Sequence, residues 1–216
     1  GTFTDLVGVD EDSHQMIVSK RPSTPRNPEQ GVFDGLASSG IDLDDITFLI
    51  LGTTIGINAL HDRTGARVLY LTTKGFEDVP FIQRINRRHH YDLDWVKPAP
   101  LAERRDCIGV NERITKDEKV LVPLKDEELA LIRDVVAKRI AESPGPVAIA
   151  VNLLFAYANP AHEVRAAEIL RGRLDGIFVT TGTELSREWF EYERCATAAA
   201  NAYVGPQLSD YIDRFH

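Results

Sequence analysis

The stretch Val-Ala-Ile-Ala-Val-Asn-Leu-Leu-Phe at residues 147–155 limits what this chain can become more than any other. Pro144-Gly145-Pro146 precedes it and Asn159-Pro160 follows, so it is too short for a typical helix and bounded by residues that break one. A run with almost no polar position cannot have one face in water. It reads as a strand buried on both sides, which is the habit of parallel strands with helices packed above and below. An α/β architecture follows, and neighbouring segments supply its parts. Residues 66–73 and 177–181 are further strand-like runs, and residues 124–140 carry Leu129, Ile132, Val135 and Val136 on one helical face. From Ser186 a long helix is expected, with Trp189, Tyr192, Ala196, Ala199 and Tyr203 forming a buried seam until Gly205-Pro206 kinks or ends it.

The first third of the chain is built differently. Residues 6–10 and 16–18 are short apolar runs separated by Glu11-Asp12-Ser13, the pattern of an antiparallel hairpin. Asn27-Pro28 opens a helix that Gly40 closes. Residues 46–51 read as a strand emptying into Gly52-Thr53-Thr54 and then a helix, so that with residues 66–73 they form a right-handed βαβ crossover. Residues 74–122 loosen the pattern, with prolines at 80, 98 and 100. An excursion of that length suggests function, and a sub-division of the chain is expected near residues 74–120.

Composition narrows the class. The 216 residues carry 25 basic and 33 acidic side chains for a formal charge of -8, which repels nucleic acid and anionic lipid. Cys107 and Cys195 are far apart and form no metal-binding or redox pair, which suits a reducing cytoplasm. No apolar stretch is long enough to span a bilayer.

Chemistry concentrates in a few places. Gly1-Thr2-Phe3-Thr4-Asp5 reads as a turn that could cradle phosphate: the glycine permits close approach, the threonines offer hydroxyls, and Asp5 can hold a water or a magnesium ion. Gly52, Thr53, Thr54 and Asn58 stand where a helix begins and backbone donors converge on an anion. Arg84, Arg87, Arg88, His89 and His90 are read first as a solvated basic loop, with substrate or anion binding as the other reading. His162-Glu163 lacks a second histidine, since position 166 is Ala166, and is read as part of a helix start with Asn159 as cap. Cys195 is expected to be a small buried thiol. Glu191 and Arg194, one turn apart, are either a surface pair or a contact to a further segment.

Taken in order, Gly1-Thr2-Phe3-Thr4-Asp5, Gly52-Thr53-Thr54 through Asn58-Ala59-Leu60, Gly65-Ala66-Arg67, Thr73-Lys74-Gly75-Phe76-Glu77-Asp78 and Glu191-Tyr192-Glu193-Arg194 resemble the N-terminal portion of the hydantoinase A, 5-oxoprolinase and acetone carboxylase family. The resemblance spans essentially the whole chain. It implies an actin-like, ribonuclease H-like ATPase lobe, with a mixed sheet that starts as an antiparallel hairpin and is flanked by helices. It implies a strand before Gly1, a C-terminal lobe, a second, B-type subunit and an oligomer. It further implies ATP and Mg2+ as cofactors, a cyclic amide or imide as substrate, and Gly1, Thr2, Thr4 and Asp5 at the nucleotide. Within that set Asp5 and Thr4 serve phosphoryl transfer and Asp5 holds the metal, while Gly52, Thr53, Thr54, Asn58, Arg84 and Arg194 contact substrate or phosphate. An ATP-dependent carboxylase is the alternative within the family, and a non-catalytic binding module the alternative outside it.

Overall fold

The computed structural model describes residues 3–24 and 27–215. The chain divides into two compact units, Gly1–Asn58 with Gln207–His216 and Ala59–Pro206.

In the first unit, β1 (Phe3–Val9) and β2 (Met16–Pro22) pair antiparallel from Phe3 opposite Pro22 to Val9 opposite Met16. Asp10 forms the turn between them, its carboxylate accepting the amides of Asp12 and Ser13 at 3.0 and 2.6 Å. Strand alternation sends Thr4, Leu6 and Gly8 to one face and Phe3, Asp5, Val7 and Val9 to the other. α1 (Pro28–Ser39) covers the first face, burying Val32 and Leu36. It ends where Gly40 takes the left-handed conformation, φ 75°, that a side chain would resist. The C-terminal residues of this unit fold onto the same helix, with Phe215 against Phe33 and Tyr211 and with Arg214 paired to Glu29 at 3.1 Å.

Residues 46–51, expected as a strand, join no ladder among the described residues. Phe48 and Ile50 are 78% and 80% exposed. β-Branched and apolar residues favour a strand only when a neighbour supplies hydrogen bonds and packing, so the expected βαβ crossover is not made in this chain. After them comes α2 (Ile55–Asp62).

The second unit is the layered structure that residues 147–155 imply. β3 (Arg67–Thr73), β4 (Cys107–Val110), β7 (Val147–Val151) and β8 (Phe178–Thr181) form a 4-stranded sheet in the order β4-β3-β7-β8, with every ladder parallel. Between β3 and β7 in sequence lie the short helix α3 (Val79–Ile82), the small ladder of β5 (Arg113–Ile114) with β6 (Val120–Val122), and α4 (Asp126–Ala141). α5 (Ala161–Arg173) joins β7 to β8. Leu69, Leu71, Ile149 and Val151 point to one face and pack on Leu129, Ile132 and Val136 of α4 and Ala166, Ala167 and Leu170 of α5. Val68, Tyr70, Ala148 and Ala150 point to the other, against Cys195, Ala198, Ala199, Ala202 and Tyr203 of α7 (Glu191–Asp213). Alanines facing alanines let helix and sheet backbones approach closely. Antiparallel and parallel pairing thus occur in separate ladders, flanked by helices.

The last helix departs from its expected form. A short helix α6 (Gly182–Leu185), capped by Thr181 and Glu184 in a reciprocal capping box, ends just before Ser186, and α7 starts only at Glu191. Trp189 therefore lies outside the helix, 68% exposed and stacked on Phe190, and not in the seam. Pro206 lies inside α7, which continues to Asp213.

Candidate functional site

Of the residues expected at the phosphates, Gly1 and Thr2 lie outside the described residues. Thr4 and Asp5 belong to β1 itself and not to a turn, so their side chains leave on opposite faces. Thr4 lies against α1, where its hydroxyl is 3.4 Å from that of Ser23 and where a Cβ on Gly31 would come within 2.7 Å of it. Asp5 faces solvent in an ion pair with Lys20 at 2.9 Å. Thr53 accepts the amide of Ile55 at 3.3 Å, and Asn58 donates to Thr54 at 3.3 Å, an arrangement that fastens the start of α2 and leaves this stretch exposed. A magnesium ion of the kind that accompanies nucleotides keeps several waters and takes one or two protein carboxylates, which the single exposed carboxylate of Asp5 suits. No cluster of three metal-ligating side chains occurs among the described residues.

Arg84 and Arg194 are found elsewhere, in the second unit. Arg84 pairs with Glu193 at 2.7 Å and lies over the Phe190 ring at 4.0 Å. His89 and His90 beyond it are exposed, as the solvated-loop reading has it. Arg194 is fully buried, which overturns the reading of Glu191 and Arg194 as a surface pair. Its guanidinium meets Glu163 at 3.2 Å, Glu191 at 3.3 Å and the Leu153 carbonyl at 3.2 Å, so its charge is consumed inside the protein.

That contact belongs to a polar cluster at the carboxyl ends of β3, β7 and β8, the end at which open parallel sheets place their ligands. Glu163, expected merely to favour a helix start, is fully buried one turn into α5 and accepts the amides of Leu153 and Thr183, each at 2.7 Å, and the Thr183 hydroxyl. Burial raises its pKa, offset by Arg194 and then by Thr183 and the amides. Glu191 accepts the Phe155 amide at 3.1 Å and is likewise raised, first by burial. On the far side, Glu112 accepts from the Thr73 hydroxyl and from Nδ1 of His162 at 2.7 Å, while Nε2 of His162 accepts the Leu124 amide at 3.3 Å. His162 is thereby fixed as the neutral Nδ1–H tautomer. The Thr73 hydroxyl also accepts the Leu154 amide at 2.9 Å. Gly182 is required here, since a Cβ would stand 2.3 Å from Oδ1 of Asn152.

The cluster therefore pins the loop after β7 by its own amides, at Leu153, Leu154 and Phe155, to carboxylates and a hydroxyl. Two of the cluster's buried side-chain atoms, Asn152 Oδ1 and Arg194 Nε, have no hydrogen-bond partner among the described residues. The sequence reading missed Glu112, Asn152 and Thr183 altogether and had Thr73 only as part of a family motif, with no role. The available signal was a polar residue at the end of three parallel strands: Thr73 closing β3, Asn152 just after β7, and Thr181 closing β8 with Gly182-Thr183 following. Both thiols are inert by contrast, with burial pushing Cys107 and Cys195 up to about 12.

Known proteins share the sequence pattern and the fold of this chain. A family model described as the hydantoinase/oxoprolinase N-terminal region matches residues 1–174. An uncharacterized protein of Methanocaldococcus jannaschii is 38% identical over 100% of this chain and 31% of its own length. The acetophenone carboxylase gamma subunit of Aromatoleum aromaticum is 33% identical over 98% of the chain and 31% of its own. The crystal structure of the ATP-dependent caprolactamase from Pseudomonas jessenii superposes with a TM-score of 0.81 at 30% identity, covering 100% of this chain and 32% of that one. The chain thus spans about a third of the length of these relatives. With most of its length matched by the family model, this chain belongs to the hydantoinase/oxoprolinase family, in its N-terminal region.

Proposed function

We propose that the protein to which this chain belongs uses ATP to open a cyclic amide or imide. What carries the reading is the family match, together with Asp5 on the first strand, which offers an exposed carboxylate beside the ammonium of Lys20. An unstrained amide is a poor electrophile with a poor leaving group; bound ATP with magnesium would supply a phosphoryl group that converts the carbonyl oxygen into a leaving group. In this reading Asp5 holds water or the metal at the phosphates and Lys20 balances anionic charge. Thr53, Thr54 and the first amides of α2 offer donors to an anion. Arg84 and Arg194 are left out, because carboxylates already engage both.

The test uses the full-length protein with hydantoin, 5-oxoproline and caprolactam as probes. ATP hydrolysis stimulated by at least one of them is expected in the wild type. In Asp5→Asn turnover should fall by about two to three powers of ten, the scale of losing one electrostatic contact at the transition state. Normal turnover in Asp5→Asn removes that residue from the chemistry, and absence of any ATP hydrolysis in the wild type favours a non-catalytic module. A second reading rests on the 33% identity to a carboxylase subunit. ATP hydrolysis that requires bicarbonate and a ketone, and ignores the cyclic amides, would select it.

A further inference from the structure

The small ladder of β5 with β6 presents one arginine of the second unit in an unusual setting. Ile114 fills the core, and the ladder slips register between it and Arg113, as at a bulge, which re-aims the arginine and leaves it half-buried. Its guanidinium carbon lies over the Phe76 ring at 4.9 Å and the Phe155 ring at 5.9 Å. Phe76 comes from the loop after β3, Phe155 from the loop after β7, and Arg113 itself follows β4. These three strands are neighbours in the parallel sheet, so rings and cation meet at its carboxyl end, where such sheets receive ligands. Phe155 holds φ 58°, a left-handed conformation that a bulky side chain resists and that persists only where its surroundings impose it.

No acceptor within the protein takes up this cation directly. Arg67, Arg133 and Arg194, also withdrawn from full exposure, each pair with a carboxylate. Arg113 makes no hydrogen bond or ion pair among the described residues, which leaves its N–H donors to a ligand beside two hydrocarbon rings. The carboxylates nearby are engaged. Glu112, its chain neighbour, accepts from Thr73 and His162. Glu191, raised first by burial and drawn down in part by Arg113, accepts the Phe155 amide on one oxygen and Arg194 on the other. A guanidinium is a planar fork of donors that matches a carboxylate or a phosphate. The rings decide between them. They favour an organic acid, whose hydrocarbon part gains by covering them, over an inorganic anion that is hydrated on every side.

We propose that Arg113, Phe76 and Phe155 form a binding site for a small organic carboxylate, the guanidinium holding the carboxylate and the two rings its aliphatic chain. The assignment stands apart from the ATP-dependent reading, since it needs neither nucleotide nor amide.

Butyrate, butyramide and inorganic phosphate serve as probes, followed by calorimetric titration of the full-length protein without ATP. Saturable binding of butyrate is expected, with butyramide and phosphate each weaker by about ten-fold or more, the scale of one charge-assisted hydrogen bond. Arg113→Met keeps the length of the side chain, removes its charge, and should weaken butyrate at least about ten-fold. Phe76→Leu should weaken butyrate and leave phosphate unchanged, a split that general loss of structure would not give. Should the methionine variant fail to fold by circular dichroism, Arg113→Lys keeps the charge without the fork and must weaken butyrate as well. Failure of the wild type to bind butyrate saturably overturns the proposal, as does undiminished binding in a folded Arg113 variant. Phosphate bound as tightly as butyrate, or butyramide bound as tightly, overturns the choice of an organic carboxylate.

Discussion

Arg194 shows how much a single side chain can be asked to neutralise. One guanidinium faces two carboxylates, Glu163 and Glu191, and all three have been withdrawn from bulk water to different extents. Removing one partner of such a buried group leaves uncompensated charge, which costs about 3–5 kcal/mol. Arg194→Met should lower the urea midpoint by that equivalent, and an unchanged midpoint would show that Glu163 is held protonated without it. The pH dependence has two opposing signs. Glu163 and Glu191 have raised values in the folded protein, so the stability they contribute is full below the ordinary value of 4.5 and is lost as pH rises through the raised values. Glu184 runs the other way, lowered chiefly by its hydrogen bond from Arg171 at 2.7 Å. Its contribution is present above 4.5 and lost as pH falls through the lowered value. Glu184→Gln should therefore be less stable than wild type near neutrality, with the gap closing in acid. Urea midpoints measured across that range check it; a gap independent of pH would mean that the neutral amide keeps the same contact.

At the scale of elements, what the sequence disclosed depended on whether a segment makes its structure alone. The strand at β7 was legible because burial on both faces leaves no polar position, and α1 because Asn27-Pro28 and Gly40 mark its ends. β4 was hidden: it has four residues, includes Gly109, and sits inside a proline-rich excursion. Residues 46–51 misled for the opposite reason, having strand composition without a neighbour to pair with. Glu163 was read as part of a helix start and Arg194 as a surface pair or a contact to substrate, phosphate or a further segment, because no local pattern says that positions 31 apart meet in the core. The error over Trp189 has a direct check. Trp189→Ala should change stability by less than about 0.5 kcal/mol, as exposed substitutions do. Tyr203→Ala, in the true seam, should cost about 3 kcal/mol or more. Denaturation showing the reverse order would return Trp189 to the core.

The two units of the molecule differ most in how much apolar surface each closes over. In the second, a parallel sheet is covered on both faces, one by α4 and α5 and the other by α7, and both core clusters belong to it. In the first, two strands have one helix against one face, while Phe3, Val7, Val9, Met16 and Val18 on the other stand 51–69% exposed. A two-stranded hairpin with a single covered face is marginal in water, whereas strands sealed on both sides open only when the unit unfolds. Hydrogen exchange on residues 1–216 should therefore be graded. Amides of β3 and β7, such as Leu69 and Ile149, should be the slowest and approach the global unfolding free energy. Those of β1 and β2 that face the partner strand, such as Gly8 and Ile17, should exchange through local opening at rates higher by about three powers of ten or more, the equivalent of about 4 kcal/mol. Equal protection in β1 and β7 would show that the hairpin unfolds only with the whole chain, and that its exposed apolar face costs the first unit nothing in cooperativity.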